Sequence, residues 1–388
     1  MDAHLRELLD LVVRWVHLIA GIMWVGNSML WNWLDRNLEP PPADRPLEEG
    51  TIWMVHSGGF YEMRKRQLEP HQMPARLHWF WLQATTTWVS GILLLVVVYY
   101  LGGKAALVDA QLADMTQVQA VGLSVALLVG SWACYDVLWR SPLGKRPALA
   151  AGVSGLALVG LAWALTHLFN GQAAFLHMGA ILGTLMVSNV WQHILPSQRE
   201  LVRLTQAGKR QEAALGKAAK TRSIHNNYMT FPVLFTMLSG HYPSTYSGPH
   251  AWLVLVVVML TGAGVRHVMN VRFTWPAWRP ALAATLVVGF GLIWAITRPA
   301  PVVTGGQPVV WAEVAPVLQR HCVSCHAQRP GQPAPPRGVA LDTLEGAQRA
   351  GDRILSQAVR ARAMPPGNAT GMTDAERQLL GRWLSSPR

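Results

Sequence analysis

Long runs of apolar residues, separated by short polar segments, dominate the first three quarters of the chain. A helix needs about 20 mostly apolar residues to cross the hydrocarbon core of a bilayer. Eight stretches come near this length, at about residues 11–34, 78–101, 118–139, 147–168, 173–195, 225–240, 250–270 and 279–298. They predict eight transmembrane helices, and the first is expected to be retained because it has no small-residue cleavage site.

The pattern changes at about residue 302, where the chain becomes polar and rich in Pro, Gly and Arg. The remaining residues are enough for one small folded domain. The sequence therefore predicts an all-α protein with two domains. These are a polytopic membrane helix bundle over residues 1–300 and a small all-α domain over residues 301–388.

Composition and charge support a membrane protein and give its orientation. Of the 388 residues, 51% are apolar and only 14% are charged. Lys and Arg near span ends are retained on the cytoplasmic side. Nineteen of them lie in the loops after the odd-numbered spans or in the span ends next to these loops, whereas the alternate loops contain only Lys104. Both termini are therefore expected outside the cytoplasm. The net charge of +12 reflects this topology, and the sequence does not show the basic patch that a nucleic-acid partner requires.

The most specific motif is Cys322-Val323-Ser324-Cys325-His326, the C-x-x-C-H pattern of covalent haem attachment. The two thiols can form thioethers to one porphyrin, and His326 then lies under the iron as its proximal ligand. A redox dithiol and half of a zinc site are the alternatives, but the chain has no second Cys pair for zinc. One covalent haem c is therefore expected. Such haem is attached outside the cytoplasm, in agreement with the loop charges.

A c-type haem usually takes a second axial ligand from farther along the chain, and a Met thioether raises its potential. Met364 is the predicted ligand. Met372 competes, but Thr373 and Glu376 form a capping-box pattern that opens a helix, so Met372 is expected to pack as an apolar residue just before that helix.

Ionisable residues at membrane depth are functional candidates by default. One face of the first span carries, at helical spacing, His17, Gly21, Trp24, Ser28 and Trp31. A His with a Gly one turn away suits a flat macrocycle, although a helix-packing stripe has the same pattern. His177 is the predicted partner ligand of a non-covalent haem b, and His167 and His241 are further candidates near the outer side.

Polar residues also collect near the cytoplasmic side. They are His225, Asn226, Asn227 and Tyr228, then Arg266, His267 and Asn270, and His56 in a long loop with a Gly pair. Positions 266 and 270 share a helix face, and a Gly pair permits close backbone approach to a ligand. Together they predict a pocket for a flat, anionic, hydrogen-bonding molecule. Adjacent Asn residues are also ordinary helix-start residues, and Arg266 alone could be a topology signal.

Several motifs occur together in a fixed order along nearly the whole chain. They are Arg14-Trp15-Val16-His17 with Trp24-Val25-Gly26, His56 through Tyr61, Thr87-Trp88-Val89-Ser90-Gly91, Ser141-Pro142-Leu143-Gly144-Lys145, His225 through Tyr228, His241-Tyr242-Pro243, and Arg266-His267 with Asn270. In these motifs the chain resembles the integral-membrane urate oxidases, or urate hydroxylases, that carry a C-terminal cytochrome c domain. The first-span pattern is also similar to that of small membrane-bound, haem-using protoporphyrinogen oxidases, which favours His17 as a haem ligand.

The resemblance implies oxidation of urate to 5-hydroxyisourate, with electrons passed to the cytochrome c domain. It does not by itself identify the urate ligands. The expectation is that water supplies the oxygen, with a His as general base drawn from His225, His267 and His56. Substrate binding is expected from Asn226, Asn227, Tyr228, Arg266 and Asn270.

The expected setting is a bacterial inner membrane, with a soluble or membrane-bound cytochrome or a terminal oxidase as the downstream partner. Two rival functions remain at this point. One is a membrane-bound multihaem electron carrier from quinol to cytochrome c without urate chemistry. The other is a transporter with a redox sensor, although the internal repeats typical of transporters are not evident.

Overall fold

A computed structural model describes residues 2–45, 47–109, 112–210, 213–298, 308–328 and 334–385. The chain divides into two compact units. The first unit comprises Met1–Val97, Leu182–Phe231 and Gly262–Ala283, and the second comprises Val98–Ile181, Pro232–Thr261 and Ala284–Arg388. The predicted domain boundary at residue 300 lies outside the described residues.

The described part of the chain is mostly helical. In chain order its α-helices are α1 (Ala3–Asn37), α2 (Leu82–Leu94), α3 (Lys104–Leu107), α4 (Gln117–Arg140), α5 (Pro147–Leu168), α6 (Gly171–Asn189), α7 (Leu195–Gln206), α8 (Ala213–Leu238), α9 (Pro243–Tyr246), α10 (Ala251–Val271), α11 (Trp278–Ile296), α12 (Trp311–His321), α13 (Leu344–Arg349), α14 (Gly351–Ile354) and α15 (Asp374–Ser385). π-Helical turns continue α2 over Leu95–Tyr100, α6 over Val190–Ile194 and α14 over Leu355–Arg360.

Seven helices of the described chain are long and apolar enough to cross a membrane. They are His4–Asn37, Leu82–Tyr100, Gln117–Arg140, Pro147–Leu168, Gly171–Gln206, Ala251–Val271 and Trp278–Ile296. These helices match seven of the eight predicted spans. Most of the sixth predicted span, 225–240, belongs to α8, and α8 is not among these seven helices. Its first half carries Lys217, Lys220 and Arg222, which lower its mean hydropathy.

A β-hairpin is the exception to the all-α prediction. Strands β1 (Glu48–His56) and β2 (Gly59–Arg66) pair antiparallel, with His56 opposite Gly59. Ser57 and Gly58 form the two-residue turn, and both have positive φ angles, of 48° and 77°. Such a turn matches the twist of paired strands. The apolar and β-branched residues before this turn therefore form a strand, and the prediction of an open ligand-binding loop here was wrong.

Close packing in both units involves small residues and side-chain hydrogen bonds. In the first unit, Trp88 Nε1 donates to Thr184 Oγ1 at 3.1 Å and Trp191 Nε1 donates to Thr85 Oγ1 at 2.9 Å. In the second unit, a Cβ at Gly179 would lie 2.4 Å from Thr236 Oγ1. Small residues at such contacts let helix backbones approach, as is common in membrane bundles.

The C-terminal segment, which we define as the described residues from 308 to 385, has its own apolar core. Its buried residues come from α12 to α15 and from the segments between these helices, and are Val314, Val317, Leu318, Leu341, Ala347, Ala350, Ile354, Ala358, Val359, Met372 and Leu380. Thr373 caps α15 as the capping-box pattern predicted, because its Oγ1 accepts from the Glu376 backbone N at 3.3 Å and its own backbone N donates to Glu376 Oε2 at 2.8 Å.

Candidate functional site

A buried polar group in the first unit contains three of the predicted substrate-binding residues. Arg266 Nε donates to Asn227 Oδ1 at 2.9 Å, and Asn270 Nδ2 donates to the same oxygen at 2.8 Å. All three residues are buried. We call Asn227, Arg266 and Asn270 the Arg266 cluster. Its residues come from α8 and α10, where positions 266 and 270 share a face as predicted.

The chemistry of the guanidinium fixes how both amides of the Arg266 cluster point. Arg is only a donor, so Asn227 must present its oxygen to Arg266. Asn270 must then present its NH₂ to that same oxygen, and its own Oδ1 points elsewhere. This Oδ1 is buried and has no hydrogen-bond partner among the described residues. A buried acceptor without a donor costs free energy unless a ligand or water satisfies it.

The Arg266 cluster also holds an uncompensated cation. Arg266 lies 5.8 Å from the centre of the Phe231 ring, and within the described chain no carboxylate pairs with its guanidinium. Arg36 of α1 adds a second cation, whose Nη1 donates to the Asn270 backbone oxygen at 2.6 Å. A desolvated cation is costly to bury alone. The cluster is therefore suited to an anion that also donates N–H bonds.

Asn226 has a structural role beside this cluster. Its Nδ2 donates to Met186 O at 2.9 Å, and its Oδ1 accepts from Asn189 Nδ2 at 2.8 Å. Both amide atoms of Asn226 are thus used within the protein, and the residue joins α8 to α6. Its predicted substrate contact would require one of these bonds to break.

The three predicted catalytic histidines have different environments. His267 is exposed, and its Nδ1 is 2.8 Å from the Tyr228 hydroxyl. His225 is half-buried on α8. His56 is exposed at the tip of the β-hairpin, and within the described chain its ring bonds only the Ser57 hydroxyl, at 2.7 Å. The structure therefore brings His267 and Tyr228 together, whereas it places His56 on an exposed turn.

A cavity of about 1290 Å³ in the second unit contains the haem-attachment motif. Cys322, Cys325, His326 and Met364 all line it. His326 Nδ1 lies 3.0 Å from the Val339 carbonyl oxygen. A carbonyl only accepts, so Nδ1 carries the proton and Nε2 keeps its lone pair for a metal, which is the usual way a ligating His is oriented. The donor set and the cavity therefore fit a covalently attached haem.

The two candidate methionines lie in different places. Met364 lines the cavity and is 37% exposed, whereas Met372 is 1% exposed and belongs to the apolar core. Buried Arg377 holds the backbone around Met364, because its Nη1 donates to Met364 O at 2.7 Å and also to Ala358 O. Its Nη2 donates to Asn368 Oδ1 at 3.1 Å. Of the two, only Met364 is placed beside the attachment motif.

Two of the histidines predicted for haem b line the same cavity. His167 and His241 are both exposed to it. His167 Nδ1 lies 2.7 Å from Trp163 O, and its ring stacks on the Trp163 ring at 4.4 Å. The carbonyl bond again leaves Nε2 of His167 with a lone pair.

The other two histidines differ in whether a ring nitrogen is available. His17 Nδ1 bonds Thr87 O at 2.9 Å and Ser90 Oγ at 3.1 Å, so its Nε2 keeps a lone pair. A Cβ at Gly91 would lie 3.1 Å from this ring, so Gly91 gives it room. His177 is fully buried, and Ser124 Oγ and Ala173 O each lie 2.6 Å from one of its nitrogens. A metal at His177 would have to displace Ser124.

Two side chains of the C-terminal segment, Glu376 and Cys322, have pKa values far from the ordinary values of their groups. Hydrogen bonds from the Thr373 backbone and side chain, with His321 nearby, hold the pKa of Glu376 at about 2 despite partial burial. Burial raises the pKa of the Cys322 thiol to about 11. The Cys322 side chain is therefore neutral, which suits a position on the wall of an apolar cofactor site.

Sequence reasoning missed several residues that build these sites. Asn189 and Arg36 complete the polar surroundings of the Arg266 cluster, and Arg377 holds the Met364 backbone. Asn189 is an amide inside an apolar span, which is itself a signal of function or packing. Arg36 follows the first predicted span, where the sequence indicates only a contribution to membrane orientation.

Comparison with protein families gives one finding. A family model described as "Urate oxidase N-terminal" matches residues 3–297. The chain belongs to this family. The match covers both the Arg266 cluster and the histidines of the membrane helices, and it confirms the family relationship expected from the sequence motifs. It ends before the C-terminal segment. Neither the curated proteins nor the solved structures gave a match.

Proposed function

We propose that this protein is a membrane-bound urate oxidase that converts urate to 5-hydroxyisourate and passes the electrons to a covalent haem c in its C-terminal segment. The observation that carries the proposal is the buried Arg266 guanidinium, which has no carboxylate partner in the described chain and lies within the region matched by the family. A buried cation of this kind is suited to an anionic substrate.

Urate has the groups that the Arg266 cluster lacks. It is a flat anion with several N–H donors. Arg266 would donate to its anionic edge, and Asn270 Oδ1, which has no partner among the described residues, would accept one N–H. Asn227 would keep both side chains in place by accepting from each of them. Recognition then depends on both the negative charge and the N–H donors of the ligand. A molecule that lacks the charge or the donors should bind more weakly.

The reaction needs a base because urate and water together release two protons and two electrons as 5-hydroxyisourate forms. Of the predicted histidines we assign this role to His267, whose Nδ1 contacts the Tyr228 hydroxyl. When Nδ1–H donates to the Tyr228 oxygen, Nε2 has the lone pair that accepts a proton. In this arrangement the Tyr228 oxygen orients the His267 ring.

The second unit would hold the electron acceptor. Cys322 and Cys325 would hold the haem through thioethers, and His326 and Met364 would bind its iron. The group supplies one-electron redox chemistry when bound. Val339 O fixes the His326 tautomer, and Arg377 fixes the Met364 backbone. A non-covalent haem b is also proposed, with His17 as one ligand, because its Nε2 keeps a lone pair.

The proposed setting is a bacterial inner membrane, in which the Lys- and Arg-rich loops face the cytoplasm and the C-terminal segment faces the periplasm. The downstream partner of the C-terminal segment would then be a soluble or membrane-bound cytochrome, or a terminal oxidase.

Isotope labelling tests the chemistry. Purified full-length protein is incubated with urate and an artificial electron acceptor in H₂¹⁸O without oxygen. The proposal expects 5-hydroxyisourate that contains one ¹⁸O atom, with two electrons delivered per urate. Product that forms only when O₂ is present, and that contains O₂-derived oxygen, would reject water as the oxygen source.

A further inference from the structure

The short helix α3 lies in a turn that the rest of the second unit holds rigidly. We call residues 103–109 the α3 turn. Asn170 Nδ2 donates to Ala105 O at 3.1 Å and to Ala106 O at 2.8 Å, and its backbone N donates to Leu107 O at 2.8 Å. Leu107 and Val108 are buried. Asn170 therefore holds three carbonyl oxygens of the α3 turn, and these oxygens cannot move away easily from a neighbour.

A glycine of the C-terminal segment contacts these carbonyls. Gly367 has a φ of +55°, and a Cβ at this position would lie 2.6 Å from Ala105 O and 3.0 Å from Val108 O. Both atoms are backbone atoms, and Asn170 holds the first of them. Only glycine allows this approach, because any side chain would push the two backbones apart.

The segment that contains Gly367 also contains Met364. We call residues 363–369 the Met364 loop. On one side buried Arg377 donates to Met364 O at 2.7 Å and to Asn368 Oδ1 at 3.1 Å. On the other side Gly367 packs on the α3 turn. The Met364 loop is therefore held between its own domain and a turn that joins two apolar helices, α2 and α4.

We propose that the α3 turn is a docking platform for the Met364 loop, and that Gly367 and Asn170 are positioning residues for electron entry into the C-terminal segment. In this docked arrangement His167 and His241 line the same cavity as Cys322. His167 lies at the end of α5, and His241 lies just after α8. The docking makes and breaks no covalent bond. The inference rests on the proposed function for the source of the electrons, but the contact can be tested without it.

The chain provides a matched pair of substitutions. Gly371 also has a positive φ, of +66°, but nothing lies within 4 Å of a Cβ built on it. Gly367→Ala and Gly371→Ala therefore introduce similar backbone strain, and only Gly367→Ala also clashes with the α3 turn. Asn170→Ala is a third variant, which removes the bonds that hold the α3 turn and changes no residue of the Met364 loop.

Hydrogen–deuterium exchange of the full-length protein measures the contact itself. In Gly367→Ala, peptides that cover residues 103–109 and 363–369 should exchange about tenfold faster or more than in wild type, because the contact that protects them is lost. Gly371→Ala should leave residues 103–109 at the wild-type rate. Asn170→Ala should accelerate exchange in the α3 turn and in the Met364 loop.

The second readout is the rate at which urate reduces the covalent haem, compared with the rate for dithionite. Misplacement of the Met364 loop in Gly367→Ala or Asn170→Ala should slow reduction of the haem by urate about tenfold or more. Reduction by dithionite should stay unchanged. Equal exchange in Gly367→Ala and Gly371→Ala would overturn the docking platform. Faster exchange with an unchanged urate rate would overturn the positioning role. If urate does not reduce wild-type protein, the proposed function fails, while the exchange data still decide the contact. If Gly367→Ala does not fold, Asn170→Ala gives the same two readouts.

Discussion

Replacing Arg266 with Gln tests the anion site directly. The substitution removes the positive charge but keeps an N–H donor that can bond Asn227 Oδ1. A hydrogen bond to a charged group contributes about 1.5–3 kcal/mol, and about 1.4 kcal/mol changes an affinity tenfold, so loss of one such bond should raise the urate Kd about 10- to 150-fold.

The same substitution should not harm the fold. Arg266 is buried, and in the described part of the chain no carboxylate offsets its charge. Burying a cation without a counter-charge costs free energy, so its replacement by a neutral side chain should not lower the stability of the fold. Arg266→Gln should therefore melt at the wild-type temperature or above it when urate is absent. A purely structural role for Arg266 predicts the opposite pair of results, which are lower stability and unchanged affinity.

Equilibrium dialysis of urate with the purified full-length protein measures Kd, and absorption spectra of the same samples report haem content. Arg279→Gln is the matched control, because Arg279 is an exposed cation at the start of α11 that stacks on Trp278 instead of bonding the cluster. Arg279→Gln should leave the Kd unchanged. The anion site is refuted if Arg266→Gln binds urate as tightly as wild type, or if both substitutions weaken binding equally.

Three further predictions concern the haem sites and the C-terminal segment. Met364→His should lower the midpoint potential of the covalent haem in a redox titration, because a thioether ligand raises it, and Met372→Leu should leave it unchanged; the reverse result would make Met372 the ligand. Glu376 has its pKa lowered from 4.5 to about 2, so its carboxylate stabilises the fold above pH 4.5 and this contribution is lost as the pH falls toward 2. Glu376→Gln should reduce this pH dependence in thermal melts, and an unaltered dependence would assign it to other groups. His17→Ala should remove a non-covalent haem from the pyridine haemochrome spectrum while urate affinity stays constant, and intact haem b content would reject His17 as a ligand.

Local patterns in the sequence predicted the elements that depend on local chemistry. Seven membrane-length helices follow from apolar length alone, and the Thr373 cap of α15 follows from Glu376 three residues later. The different places of Met364 and Met372 follow from that same cap, because Met372 immediately precedes it and packs into the core.

The β-hairpin was missed although its signal was present. Residues Thr51 to Val55 are β-branched or apolar, and a two-residue turn follows His56. The motif was interpreted as a ligand-binding loop because its glycines permit close approach to a ligand. In the structure they serve the turn, and Phe60 beside it is 82% exposed.

Contacts between distant segments were beyond sequence reasoning. Asn189 and Asn226 are 37 positions apart, and Asn170 is 65 positions from Ala105. No periodicity connects such pairs, because their contact depends on how whole helices pack. The π-helical turn Val190–Ile194 likewise alters the rotation of side chains beyond it, so regular helical spacing cannot be extended across this stretch.

Electrons from urate should reach a haem attached at Cys322 and Cys325. The most direct test is the reduced-minus-oxidised absorption spectrum of purified full-length protein without oxygen, with urate as the only reductant. The account predicts that urate produces the c-type α-band in wild type. The Cys322→Ala, Cys325→Ala double variant should lack both this band and covalent haem staining. If dithionite reduces the wild-type haem and urate does not, or if covalent haem persists in the double variant, the account is contradicted.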